Sequence, residues 1–355
     1  MNARLLVFSL GLAILIALLG GVFRLGGLPF SPPMPFVQHH GALLGGVLFP
    51  GLIGLERAVA LGRWWGWASP LMALLSLAAT AMAGTAAYPL LMLLAGLLLL
   101  QQSILWQRAP GAQTAIPLLA AGLLLLTDWR WAHGVSAEFC APGWASFLVL
   151  IIAAERIEFS FLGSKRNRLM ILWVLTSCLG VCLQEWRVLG AGWIGLAYWL
   201  VRHDIARLNY RRQGLAAYTA CSVLAGYGWL LASGLQLLAW GLPYSAGPHF
   251  DRVLHGVFVG FVLSMVIAHG PIIFPAICKL PIRFSRWFYV PLTLLHLSLA
   301  VRCLGWQAAG GQGNLLAMLL FAGMMATHYR PGHNPWLAHQ ASSPEAPRSK
   351  LQSKT

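Results

Sequence analysis

The chain has 355 residues, 58% hydrophobic and 9% charged, with a formal net charge of +15. Soluble domains carry about 25% charged residues, so composition excludes a soluble globular domain and predicts an all-α polytopic membrane protein. The positive charge does not point to nucleic acid, because the Lys and Arg residues gather in alternate loops between apolar runs.

Apolar runs of about 17–25 residues mark membrane spans. Twelve are predicted, at residues 4–23, 41–61, 67–87, 89–106, 114–128, 144–162, 168–184, 188–201, 215–241, 253–275, 287–304 and 313–328. The first carries Arg4 on its flank, as a secretory signal would. Its apolar run is long for a signal and no small-x-small cleavage site follows, so an uncleaved anchor is expected.

Span 2 opens with His39 and His40, and His40 begins the nonapeptide His-Gly-x-x-x-Gly-x-Val-Leu. Gly41 and Gly45 form a Gly-xxx-Gly step, which permits close approach of a helix or a flat ligand. The same span ends in Glu56-Arg57. His133 lies in the loop before span 6, and span 6 ends in Glu155-Arg156, with Glu158 close behind. An unpaired charge at a helix centre costs about 2.5–3.5 kcal/mol on insertion scales. These five residues therefore form either a salt-bridge lattice or a proton or anion pathway from the inner side. On span 7, Cys178 and Cys182 are one turn apart, a spacing of core packing more often than of a metal site. The basic loop from Arg202 to Arg212, with its one Asp, is expected to lie along the anionic inner leaflet.

Span 10 opens with the second copy of the nonapeptide, His255 to Leu263, which contains the step Gly256/Gly260. Each histidine is expected where its helix meets the membrane surface, and an intramembrane ionisable residue is a functional-site candidate by default. His269 follows 14 residues after His255, about 40° around an ideal helix and roughly 21 Å along it, too far to share one iron. Pro271 and Pro275 are expected to break the helix there, so His269, with His296 of span 11, belongs to a second metal site or satisfies the freed carbonyls. His39, His133 and His249 are weaker metal-ligand candidates, with copper as the metal.

Spans 2, 6 and 10 run in the same direction at intervals of four helices, which gives three pseudo-repeats of four. Seventeen Lys and Arg residues fall on the side of both tails, and five (Arg24, Arg130, Arg187, Arg252 and Arg302) on the other. By the positive-inside rule, this predicts a multi-pass membrane protein with cytoplasmic N- and C-termini. Residues 1–328 form a single transmembrane domain and 329–355 a disordered cytoplasmic tail. The matched pair His40 and His255 suits bis-histidine ligation of a b-type haem, which needs two imidazoles across the porphyrin plane. No CxxCH occurs for covalent attachment.

The span count and the span-2 and span-10 histidines resemble the catalytic subunit of haem–copper oxidases, which implies three arcs of four helices and a low-spin haem between His40 and His255. Spans 6 and 7 lack the histidines that hold copper in that family, which argues against an oxygen-reducing site. The segments His40-Gly-Ala-Leu-Leu-Gly and His255-Gly-Val-Phe-Val-Gly resemble more closely the NnrS family. These are twelve-span bacterial membrane proteins that bind haem and copper and are associated with the response to nitric oxide. That resemblance implies haem, copper as a further metal, and a redox partner or an oxidase or reductase complex. The competing readings are a secondary transporter using the Glu, Arg and His residues, and a non-catalytic assembly or regulatory protein.

Overall fold

A computed structural model describes residues 3–26, 34–83, 87–157, 167–242, 247–278 and 282–328. Among them there is no strand, and the long helices are α1 (Ala3–Arg24), α2 (Met34–Leu61), α3 (Ala68–Ala83), α4 (Tyr88–Arg108), α5 (Ala112–Ala132), α6 (Ala137–Ile157), α7 (Asn167–Leu183), α8 (Trp186–His203), α9 (Gly214–Trp240), α10 (residues 248–278), α11 (Tyr289–Cys303) and α12 (Gln307–Thr327). Eight of these (α1, α2, α4, α5, α6, α9, α10 and α12) are long and apolar enough to cross a membrane, and α7 is apolar but shorter. Glu158 and the tail 329–355 lie outside the described residues.

Local chemistry sets the helix ends. Pro89 and Pro248 stand in the first turns of α4 and α10, where a missing N–H costs nothing. Gly62 ends α2 with φ of 62°, a left-handed turn that glycine adopts without strain. Two helices begin before their apolar runs do. α2 starts at Met34 and α10 at Pro248, so His40 and His255 sit inside their helices and not at the entry points that hydropathy marks. The polar first turns Met34–Ala42 and Pro248–His255 are helical because of neighbouring packing, which an apolar-run criterion does not see.

Both copies of the nonapeptide fold into π-helix, Leu43–Leu48 in α2 and Gly256–Leu263 in α10. A π-helix closes i→i+5 hydrogen bonds and carries more residues per turn than an α-helix. The expected 40° between His255 and His269 assumed unbroken α-helix and therefore does not hold. Pro271 and Pro275, by contrast, do not break the backbone, and Ser264–Cys278 is one continuous α-helix. Tyr218 on α9 donates its hydroxyl to the Ile267 carbonyl at 3.2 Å, the acceptor that Pro271 leaves without its helical donor.

Neighbours in sequence pack as neighbours in space. The runs α3 to α6 and α7 to α10 each pack side by side, and α1 joins α2 to α12, which pairs with α11. Helix α6 packs against both α2 and α10. These three are the most enclosed spans, with 67%, 78% and 67% of their apolar windows buried for α2, α6 and α10, against 33–44% for the other five. Helix α6 fits this position because it is almost uniformly apolar, and it buries Trp144, Phe147, Leu148, Val149 and Leu150.

Candidate functional site

The glycines of the two nonapeptides act as packing positions. A β-carbon on Gly45 would lie 2.9 Å from Trp144 Cβ and 3.2 Å from the Phe258 ring. Phe258 belongs to the second nonapeptide, so the two copies meet each other across Gly45. Gly260 lies under Trp229 of α9, and Gly256 under Ser233 of the same helix, each without room for a side chain. Gly41 has nothing within 4 Å of where its β-carbon would be.

Two tryptophans therefore cover the second glycine of each copy, and each has its indole N–H held. Trp144 donates to Asp128 Oδ1 on α5 at 2.8 Å, and Trp229 donates to His296 Nδ1 on α11 at 3.0 Å.

Gly41 opens onto a cavity of about 360 Å³ between α1, α2, α6, α10, α11 and α12. His39, His40 and His255 line it, together with Gly21, Arg24, Glu138, Trp144, Asp251, Phe258, Arg302, Gln307 and Asn314. His40 and His255 are close enough to feel each other electrostatically. The His40 ring lies over Gly21 of α1, whose absent side chain leaves the space the ring fills. His40 is buried, and its one hydrogen-bonding contact is to the backbone of Val37 in its own helix. His255 is held differently. Its Nδ1 lies 2.9 Å from the Asp251 carbonyl oxygen and 3.1 Å from the Asp251 carboxylate. Arg302 of α11 grips the same carboxylate with two charge-assisted bonds of 2.8 and 2.6 Å. With its N–H at Nδ1, His255 keeps a lone pair on Nε2 for an electrophile.

The other singled-out residues fall elsewhere. Arg57 of α2 bridges Glu155 of α6 at 2.6 Å. Arg156 makes a bidentate pair with Asp204 at 2.6 and 2.7 Å, and Tyr227 also donates to Asp204. Asp204 is fully buried, so the one acid of the basic loop ties Arg156, near the end of α6, to Tyr227, midway along α9. His269 has both ring nitrogens engaged, Nδ1 with the Met265 carbonyl at 2.8 Å and Nε2 with Arg156 at 3.3 Å. It does not share a site with His296, whose Nδ1 takes the Trp229 bond. His39 packs edge-on against Trp131, His133 bonds the Trp129 carbonyl and His249 the Gly241 carbonyl. Among the described residues, no group of three or more His, Cys, Asp or Glu converges as a metal site.

Asp251, Arg302, Asp128 and Asp204 were not singled out from the sequence. One of them had a readable signal: Asp251 stands four residues before His255, a spacing that places a carboxylate beside an imidazole on a helix.

The fold and cavity define a class: a chain whose described residues are helical, with membrane-length helices that gather two histidines from a repeated motif at one largely apolar cavity. The chain belongs to the family described as Domain of unknown function (DUF8744), which matches residues 4–330. No curated protein and no solved structure matches it.

Proposed function

We propose that this chain is a haem-binding protein of a bacterial inner membrane, with a b-type haem held between His40 and His255. The observation that carries this reading is that both nonapeptide copies deliver their histidine to one cavity. The donor set fits the group. Two imidazoles come from different helices, the volume lies within the roughly 300–1,000 Å³ of cofactor pockets, and His255 has its Nδ1 hydrogen-bonded, which leaves Nε2 for the iron. Arg24 also lines the cavity and supplies a cation for a haem carboxylate. Bound there, the haem supplies one-electron redox chemistry and an iron able to take nitric oxide. The chain's own residues hold it, orient it and keep water from it. We accordingly assign the protein to electron transfer or to the response to nitrogen oxides, with a redox partner, in line with its resemblance to the NnrS family.

The reading extends to topology. Helices α3, α7, α8 and α11 complete twelve crossings with cytoplasmic termini, and the central position of α2, α6 and α10 supports three pseudo-repeats of four helices. The transporter reading loses support. Its broken helix is continuous, and Arg57, Glu155, Arg156 and His269 are bonded to one another or to Asp204.

Haem content decides the proposal. Protein purified from haem-replete cells is expected to give one b-type haem per chain by the pyridine haemochromogen assay. A folded, haem-free protein that also takes up no added haemin overturns it.

A further inference from the structure

Resting on the haem reading, we infer that the two histidines have unequal roles. His255 is the fixed ligand, set by Asp251 and Arg302, and His40 is the exchangeable ligand, which gives way to a small uncharged molecule entering the cavity.

Four observations separate the two rings. His255 Nδ1 is held at 2.9 and 3.1 Å by the carbonyl and carboxylate of Asp251, and Arg302 fixes that carboxylate from a second helix. The imidazole therefore has one tautomer, one orientation and an anionic partner that strengthens its electron donation through Nε2. His40 has no carboxylate behind it, only a backbone contact to Val37 within its own helix. The backbone differs as well. His39, immediately before His40, has non-helical angles (φ −113°, ψ 16°), whereas a π-helix follows both rings, three residues after His40 and directly after His255. His255 instead closes a regular α-helical turn, Pro248–His255. Finally, the surroundings of His40 are the side-chain-free Gly21 and Gly41, and Gly41 meets nothing within 4 Å. A ring held only from within its own helix, directly after a kinked residue, is the one that moves. The cavity walls are mainly apolar, which suits a small neutral molecule. Asp251 and Arg302 are thus positioning residues acting through His255.

Carbon monoxide is the probe, applied to the reduced full-length protein. His40→Ala is expected to keep its haem and to bind carbon monoxide at least about tenfold faster than wild type, since no ring need leave. The carbon monoxide spectra of His40→Ala and wild type should coincide, because His255 stays opposite the gas in both. His255→Ala should differ from both or lose the haem. Asp251→Asn is expected to keep the fold, judged by an unchanged elution profile. It should release haem about 10–100-fold faster, the range that loss of a ligand's hydrogen-bond partner produces, and its midpoint potential should rise. Asp251→Glu should restore both. A wild-type carbon monoxide spectrum that matches His255→Ala overturns the assignment of the exchangeable ring. An Asp251→Asn protein with unchanged release and potential overturns the positioning role. Both of these outcomes leave the haem reading standing, whereas a wild type that neither contains nor binds haem removes the haem reading and this inference with it.

Discussion

Two kinds of charged pair occur in this chain, and burial decides their weight. Arg156 and Asp204 are enclosed, with side chains 8% and 0% exposed. Removing one partner of a buried pair strands the other charge, at a cost of about 3–5 kcal/mol. Asp204→Asn is therefore expected to lower the thermal unfolding midpoint sharply in detergent. The Arg57–Glu155 bridge is 18% and 43% exposed, and exposed pairs contribute ~0–1 kcal/mol. Arg57→Gln should consequently shift the same unfolding curve only slightly, and equal shifts for the two variants would contradict this ranking. Much at this scale was readable in advance. The histidines and the Glu-Arg pairs stand out as polar residues in apolar runs, and the lattice reading of those pairs needed only their partner, Asp204. That residue stayed hidden because its place in a basic loop looks solvated, and only tertiary packing takes it inside.

The two π-helical segments were invisible to sequence reading. Their residues are apolar and glycine-rich, which suits an α-helix of this composition equally well; in the structure Trp144 packs at Gly45 and Trp229 at Gly260. What sequence did show was that the two segments are the same, and the structure gives that repetition a shared geometry. The π stretch in α2 begins three residues after His40, so it sets how His40 is presented relative to the rest of the helix. Inserting one alanine after Leu44 adds a residue that the already widened turn does not absorb, and should rotate His40 by about 100° relative to the residues after it. The expected outcome is a protein that still inserts and folds but purifies without haem. Full haem retention in that variant would show that the π-helix has no part in presenting the ring. Proline reading failed in the opposite direction, because Pro271 and Pro275 look like breakers in isolation, and Tyr218 supplies the donor that keeps the helix whole.

Across the whole molecule, the central trio α2, α6 and α10 carries two layers of polar chemistry. The cavity with His40 and His255 lies toward one end, and Arg57, Glu155, Arg156 and His269 join the same helices toward the other. Hydropathy anticipated the order of the helices closely, because long apolar runs and basic loops are properties of single segments. It did not anticipate which helices enclose the cavity, since α1, α11 and α12 enter it through packing alone. The topology itself is open to test: alkaline phosphatase fused after His133 should be active and after Arg63 inactive. The reverse pattern would invert the assignment of the cavity to the outer side.

The central claim is that one haem is held by His40 and His255 together. Low-temperature electron paramagnetic resonance of the oxidised protein tests it most directly. The account predicts a low-spin signal from two imidazole ligands in the wild type, replaced by a high-spin signal in His40→Ala and lost or replaced in His255→Ala. A low-spin signal that survives unchanged in either variant would contradict it.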